Sequence, residues 1–198
     1  MIQKKKNINN NVLLNLLFKS KTMYGESLAS TNKEILPFIY ASRHDYTIIN
    51  LKDVSFFLKR IFKLIKYMVQ KKKRILVIGN NDEVKFLLTK EFKNNNPDVI
   101  FFKDEWLNGL ITNKIKDTTL NKAIHYLLKE NDIKLILIIK SSIKDTFLNQ
   151  ELSTLKIPTI SLINTSQTLK NIDYPIITNS RNIRSIHAVM YLLHKMSL

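Results

Sequence analysis

The sequence predicts an α/β protein with a parallel sheet covered by helices on both faces. Three observations predict it. From Arg74 onward, short apolar runs of strand length alternate with segments of helical period, in the order β-α-β-α-β-α-β-β-α. The first run, Arg74–Gly79, reads Arg-Ile-Leu-Val-Ile-Gly without polar alternation, as expected of a strand buried on both faces. A length of 198 residues with 44% apolar side chains suits one folded unit with a substantial core. We therefore expect one α/β domain over 38–198, preceded over 1–37 by a basic tail, a short helix and an extended arm.

Met1–Asn11 is polar, with Lys4, Lys5 and Lys6 in a row, and reads as a flexible tail. It shows neither the apolar core of a secretory signal nor the Arg-rich, Ser-rich pattern of a transit peptide. Val12–Phe18 has the length of one or two helical turns, and Thr22–Pro37 has no clean period. Phe38–Ala41 and Tyr46–Leu51 are β-like runs joined by Ser42-Arg43-His44-Asp45, a hairpin pattern. Asp53 is placed to cap a helix running to about Gln70, whose apolar positions Val54, Phe57, Leu58, Ile61, Leu64, Ile65 and Met68 follow the helical period. At 100° per residue, Lys52, Lys59, Lys63, Lys66 and Gln70 form a stripe opposite that core face. The ordinary reading of such a stripe is a solvated face; a phosphate-facing stripe is the second.

Beyond Arg74–Gly79, the pattern predicts a helix over Asp82–Phe92, a strand over Asp98–Phe102 and an apolar, Gly-containing connection over Trp106–Asn113. A helix over Lys114–Lys129, a strand over Leu135–Ile139 and a helix over Ile143–Leu155 follow. Two more strands, Pro158–Ile163 and Tyr174–Ile177, precede a last helix over Arg181–Lys195, capped by Asn179 or Ser180.

The charge narrows the partners. The chain carries 32 Lys+Arg against 16 Asp+Glu, a formal net charge of +16. That is far more than solubility requires, and such a surface attracts polyanions. Nucleic acid is the first candidate and an anionic membrane the second. Only five of the basic residues are Arg, and Asn and Ile are abundant, so AT-rich coding contributes to the lysine excess. Coding bias does not explain the scarcity of acids. No apolar run reaches the roughly 18 residues that span a bilayer. With no Cys, disulfide scaffolds, thiolate metal sites and Cys nucleophiles are excluded.

Enzyme constellations are weak. A dinucleotide or nucleoside triphosphate site needs several glycines where the first sheet strand meets its helix. The chain has three Gly in all, and that loop reads Gly79-Asn80-Asn81-Asp82, with an acid where phosphate would sit. Of the four His, His125 lacks a second ligand at i+4, while His187 and His194 share a helix face without a carboxylate. His44-Asp45 lies in the hairpin turn, and no G-x-S-x-G elbow is present. No catalytic residue, cofactor, metal or small-molecule substrate is expected.

Five stretches, in order, carry a family resemblance. They are Tyr24-Gly25; Pro37-Phe-Ile-Tyr-Ala-Ser-Arg43 with Ile48-Ile49-Asn50-Leu51; Arg74–Gly79; Trp106-Leu-Asn-Gly-Leu-Ile-Thr-Asn113; and Ile157-Pro158 through Asn164-Thr165 with Asn179, Ile183 and Arg184. Together they resemble the second protein of the small ribosomal subunit, the ribosomal protein S-two family, in a shortened organellar form. The Trp stretch is the most specific of the five.

The resemblance implies a flavodoxin-like, Rossmann-like sheet that binds no nucleotide, and a structural, non-catalytic role. The implied partners are small-subunit ribosomal RNA and neighbouring ribosomal proteins. It assigns motif roles to Gly25, Asn50, Gly79, Trp106, Gly109, Asn113 and Pro158. This chain also departs from the family. About 21 residues separate Asn113 from Leu135, room for one helix rather than the family's coiled-coil hairpin. Glu26 follows the arm glycine in place of His, Asn81-Asp82 replaces a Lys-Arg pair, and Asn164 replaces an Asp.

The expected phosphate contacts are Arg43, Lys71, Lys72, Lys73, Arg74, Arg181 and Arg184, with Lys59, Lys63 and Lys66 of the stripe. Trp106 is read as a core anchor, with a stacking contact as the rival role, and Asn113 as closing the Trp loop. The shortening and the coding bias point to a mitochondrial protein, with a plastid-type organelle as runner-up. The rival functions are a free flavodoxin-like nucleotide-binding protein or enzyme, and a basic protein peripheral to an anionic membrane.

Overall fold

A computed structural model of the chain describes residues 10–79, 98–102, 106, 109, 111, 128, 133–139 and 145–197. The expected helices over Asp82–Phe92 and, apart from Leu128, Lys114–Lys129, together with Asn81, Asn113 and the first nine residues of the tail, lie outside the described residues.

Five strands form the parallel sheet: β4 (Arg74–Gly79), β5 (Val99–Phe102), β6 (Ile133–Ile139), β7 (Thr159–Ile163) and β8 (Tyr174–Ile177). Their spatial order is β5-β4-β6-β7-β8. Counted from β4, that is 2-1-3-4-5, the flavodoxin-like order. Alternate side chains of β4 enter two cores. Ile75 and Val77 face one side, with Leu135, Leu137 and Ile139. Leu76 and Ile78 face the other, with Ile136 and Ile138. The β4–β6 ladder passes from Arg74–Ile133 to Ile75–Leu135, skipping Lys134. That irregularity reverses the pleat locally, so Ile133 packs with Ile136 and Ile138 rather than with Leu135.

The first core is covered by α1 (Asn10–Lys19), α2 (Leu51–Gln70) and α4 (Ile183–Ser197). The second receives Leu148 and Leu152 of α3 (Asp145–Ser153). Helices thus lie on both faces, as expected. α2 buries Val54, Leu58, Ile61, Phe62 and Ile65, and packs against α1, α4, β4 and β8.

The structure corrects several local expectations. Asn10 and Asn11 belong to α1 rather than to the tail. The 22–37 segment holds a strand, β1 (Tyr24–Ser27), and two 3-10 turns, Leu28–Ser30 and Lys33–Phe38. Tyr-Gly-Glu-Ser has no apolar alternation to announce a strand; it is one because β3 (Tyr46–Ile49) offers it an antiparallel edge. The hairpin partner β2 (Ile39–Arg43) completes a three-stranded sheet of order β1-β3-β2. β2 begins and ends later than expected, leaving a two-residue turn. His44 and Asp45 both have positive φ, 48° and 63°, as a type I′ turn requires. Leu28 N–H donates to Asp45 O at 2.6 Å and ties the turn to the arm.

Helix starts were also displaced. α2 is capped by Asn50 rather than Asp53: Asn50 Oδ1 accepts from Lys52 N–H at 3.1 Å. Asp53 falls in the first turn, where its charge complements the helix dipole. α4 begins after Asn182, whose Oδ1 accepts from Arg184 N–H at 3.0 Å, whereas Asn179 Oδ1 accepts from Asn182 N–H one turn earlier.

Candidate nucleic-acid interface

Because β1 to β3 precede α2 and α2 leads straight into β4, α2 runs antiparallel to the strands it covers. Its C-terminus lies at the sheet edge where strands begin, and its N-terminus at the edge where they end. This geometry divides the expected basic residues into two groups.

The first group is the α2–β4 junction. Lys72 N–H donates to Val69 O at 3.0 Å and Lys73 N–H to Met68 O at 2.9 Å, closing the helix with Lys72 at φ 52°. Glycine is the usual occupant of that left-handed position. Lysine there accepts backbone strain and adds a cation beside the helix C-terminus, where it opposes the negative end of the dipole. Lys71, Lys72 and Arg74 are exposed and Lys73 is half-buried.

The second group lies at the opposite edge. Arg43 is exposed on the hairpin, next to the turn. Arg181 and Arg184 follow β8, and both are exposed. Arg181 Nε is 2.8 Å from Glu26 Oε1, so its charge is engaged with the arm. Its outer guanidinium face remains open, since its side chain is 67% exposed.

The lysine stripe differs from the sequence-based expectation. Lys63 is exposed, but Lys59 and Lys66 are half-buried, and Lys59 Nζ donates to Asn10 Oδ1 of α1. α1 packs against this flank of α2, a tertiary contact that periodicity does not reveal. The exposed face of α2 instead runs along Lys52, Phe56, Arg60, Lys63 and Tyr67, and Arg60 was missed in the sequence.

Two polar nodes fix the motif positions. At the first, Gly25 lies against buried Thr47 and Thr165. A Cβ at Gly25 would sit 2.2 Å from Thr47 Oγ1 and 2.7 Å from Thr165 Cγ2. Glu26 N–H donates to Thr165 Oγ1 at 2.7 Å, and Thr47 Oγ1–H donates to Glu26 O at 2.9 Å. Asn32 N–H donates to Thr165 O at 2.9 Å. These bonds pin the antiparallel sheet to the loop after β7. Glu34 adds a second tie: its carboxylate accepts from Leu169 N–H at 2.9 Å and Thr168 Oγ1 at 3.0 Å. These bonds, Leu169's first, lower its carboxyl pKa. The stabilisation they give is present above the ordinary Glu pKa and lost as pH falls through the lowered one.

At the second node, Glu151 of α3 gathers the Trp loop. Its carboxylate accepts from Trp106 Nε1–H at 3.4 Å, from Ile111 N–H at 3.5 Å and from Gly109 N–H. Gly109 has φ 90°, a conformation open to glycine. Trp106 is buried and meets Phe102 edge-to-face at 5.5 Å. Glu151 stood in an expected helix without a local cue, since its partners are 40 to 45 residues away.

The remaining motif residues are structural in placement. Asn50 caps α2, Gly79 is the buried end of β4 paired with Ile139, and Pro158 O accepts from Ile136 N–H at 3.1 Å. Among the described residues, no group of three or more His, Cys, Asp or Glu is arranged to hold a metal ion. No helix among them is long and apolar enough to cross a membrane.

The architecture defines a basic α/β protein of flavodoxin-like order, with cations at both sheet edges and along one helix. A sequence profile described as "Ribosomal protein S2" matches residues 17–135 and 114–197. The chain belongs to the ribosomal protein S2 family. It is 26% identical to small ribosomal subunit protein uS2c of Galdieria sulphuraria, across 90% of this chain and 89% of that protein. It is also 26% identical to uS2m of Schizosaccharomyces pombe, across 93% of this chain and 74% of that one. With uS2 of Ehrlichia chaffeensis the identity is 24%, across 86% and 70%.

Two of the departures, Glu26 in the arm and Asn164 after β7, are neighbours. Asn164 Nδ2 lies 3.5 Å from Glu26 Oε1. An Asp at 164 would face the Glu26 carboxylate, so an acid at 26 and an amide at 164 are compatible where two acids would repel.

Proposed function

We propose that this protein is a structural constituent of the mitochondrial small ribosomal subunit, held on the small-subunit ribosomal RNA by phosphate contacts and on its neighbours by protein contacts. Family membership carries the role, and the charge of +16 supports the RNA-facing part of it. The contacts assigned to phosphate are Arg43, Lys71, Lys72, Lys73, Arg74, Arg181 and Arg184. Lys63 joins them from the stripe, and Lys59 and Lys66 contribute from the half-buried flank. Lys and Arg neutralise phosphates and release counterions, which gives affinity without reading bases.

The similarity to uS2m supports the mitochondrial placement. The similarity to uS2c of Galdieria sulphuraria supports a plastid as the second reading. We assign no catalytic activity. The family match falls in two stretches that overlap over residues 114–135, and we read the short connection there as standing in place of the coiled-coil hairpin that the resemblance implies. Whatever that hairpin would reach is lost or is reached by another protein.

Gradient sedimentation of lysed mitochondria tests the role and the compartment together. The chain is expected in the small-subunit fractions, shifting to the top of the gradient after ribonuclease. Recovery as a free protein carrying a bound nucleotide would favour the enzyme alternative, and recovery with plastid ribosomes would move the compartment.

A further inference from the structure

The exposed ridge of α2 alternates cations and aromatic rings. Lys52, Phe56, Arg60, Lys63 and Tyr67 follow one another at spacings of three or four residues, with Lys71 just past the helix end, so they share one face. Phe56 is 57% exposed and Tyr67 55%. Both rings present open faces to solvent on the same side of the helix. The two rings stand eleven residues apart, about 16 Å along the axis at 1.5 Å per residue. Arg60 lies over the Phe56 ring, 5.7 Å from its centroid, so that ring already has a cation beside it. The only acid of α2, Asp53, is half-buried in the first turn, and none follows along the helix.

We propose that this ridge is a docking surface for unpaired RNA, with bases stacking on Phe56 and Tyr67 and phosphates meeting Arg60, Lys63 and Lys71. Charge complementarity decides the occupant. An apolar partner helix would want a continuous apolar stripe, and here each ring is flanked by cations. A duplex would satisfy the cations but keep its bases stacked inside, leaving the rings uncovered. A single strand satisfies both, because every base has a face to stack and every linkage carries a charge. The inference rests on the RNA-binding reading above and narrows it to one surface and one form of RNA.

The test uses the full chain with two probes, a single-stranded adenosine oligomer about a dozen nucleotides long and a duplex of equal length. The paired variant Phe56→Leu, Tyr67→Leu keeps apolar bulk and removes the rings. It is expected to weaken single-strand binding by about 10-fold or more and to leave duplex binding unchanged. Arg60→Gln with Lys63→Gln is expected to weaken both probes and reduce the salt dependence. All four side chains lie on the outer face of α2, and an unchanged unfolding midpoint identifies folded variants. Single-strand binding unaltered by the leucine pair would overturn the proposal, as would equal losses on both probes. If the parent chain binds ribosomal RNA with a steep salt dependence while the ridge variants match it, the ridge assignment fails and the RNA-binding reading stands. If the parent binds no RNA, both fail.

Discussion

Gly25→Ala is expected to lower the stability of the chain by about 3 to 5 kcal/mol and to loosen the antiparallel sheet first. Overpacking a filled site costs about 1 to 3 kcal/mol. Each buried hydrogen bond given up in making room costs about 1 kcal/mol more. The new methyl group would be 2.2 Å from Thr47 Oγ1 and 2.8 Å from Thr165 Oγ1. Both threonines are fully buried, and β-branched side chains have few rotamers to escape into. Relief therefore requires β1 to move off Thr165, which breaks the Glu26–Thr165 bond and weakens the bonds of Thr47. Denaturant unfolding measures the loss, and hydrogen exchange locates it, with β1 and β3 amides expected to lose protection before β4 and β6. An Ala variant with the parent's midpoint would show that this contact does not hold the two sheets together.

Glu151→Gln is expected to cost about 2 to 4 kcal/mol, concentrated in the Trp loop. One carboxylate serves three N–H donors from Trp106, Gly109 and Ile111. The amide keeps one acceptor oxygen and presents an NH2 group to donors, so at least one buried N–H loses its partner, at about 1 to 3 kcal/mol each. The chain contains one Trp, so its fluorescence reports this site alone. Emission should shift to the red as Trp106 meets water, at denaturant concentrations where far-ultraviolet circular dichroism still shows the folded sheet. Coincident transitions in both signals, at the parent's midpoint, would contradict the role given to Glu151.

What could be read in the sequence, and what could not, follows from where each constraint originates. The parallel sheet was legible because β4 and β6 are apolar on both faces, and their runs are bounded by polar or Gly residues. Two β-like runs a few residues apart placed the hairpin, although His44-Asp45 is not the Asn-Gly or Asp-Gly pair that announces a type I′ turn. β1 was not legible, because Tyr-Gly-Glu-Ser becomes a strand through its pairing with β3. Asn50 and Asp53 both suit a helix start, and only the hydrogen bond to Lys52 N–H distinguishes them.

The basic residues illustrate the same limit. Their identities and element ends were legible: Arg43, Lys71, Lys72 and Arg74 stand exposed at element ends, and Lys73 beside them is half-buried. The predicted stripe on α2 is centred about 50° from the exposed ridge at 100° per residue, sharing Lys52 and Lys63 with it. The packing of α1 against α2 sets that rotation, and the hydrogen bond from Lys59 to Asn10 marks it. Glu151 and Thr47 carried no sequence signal, and Thr165 stood only in a stretch of family resemblance, since each acts on a partner far along the chain.

The central proposal is that this member of the ribosomal protein S2 family holds small-subunit ribosomal RNA through the RNA's phosphates. The most direct test is the affinity of the full chain for that RNA across a salt series. Each neutralised phosphate contributes a slope of about −0.7 to −0.9 in log K against log salt, so five or more engaged cations give about −3.5 or steeper. The expected result is such a slope, reduced by about 3 when Lys71, Lys72, Lys73 and Arg74 are replaced together by Gln. A slope near zero, or one unchanged by that replacement, would contradict the account.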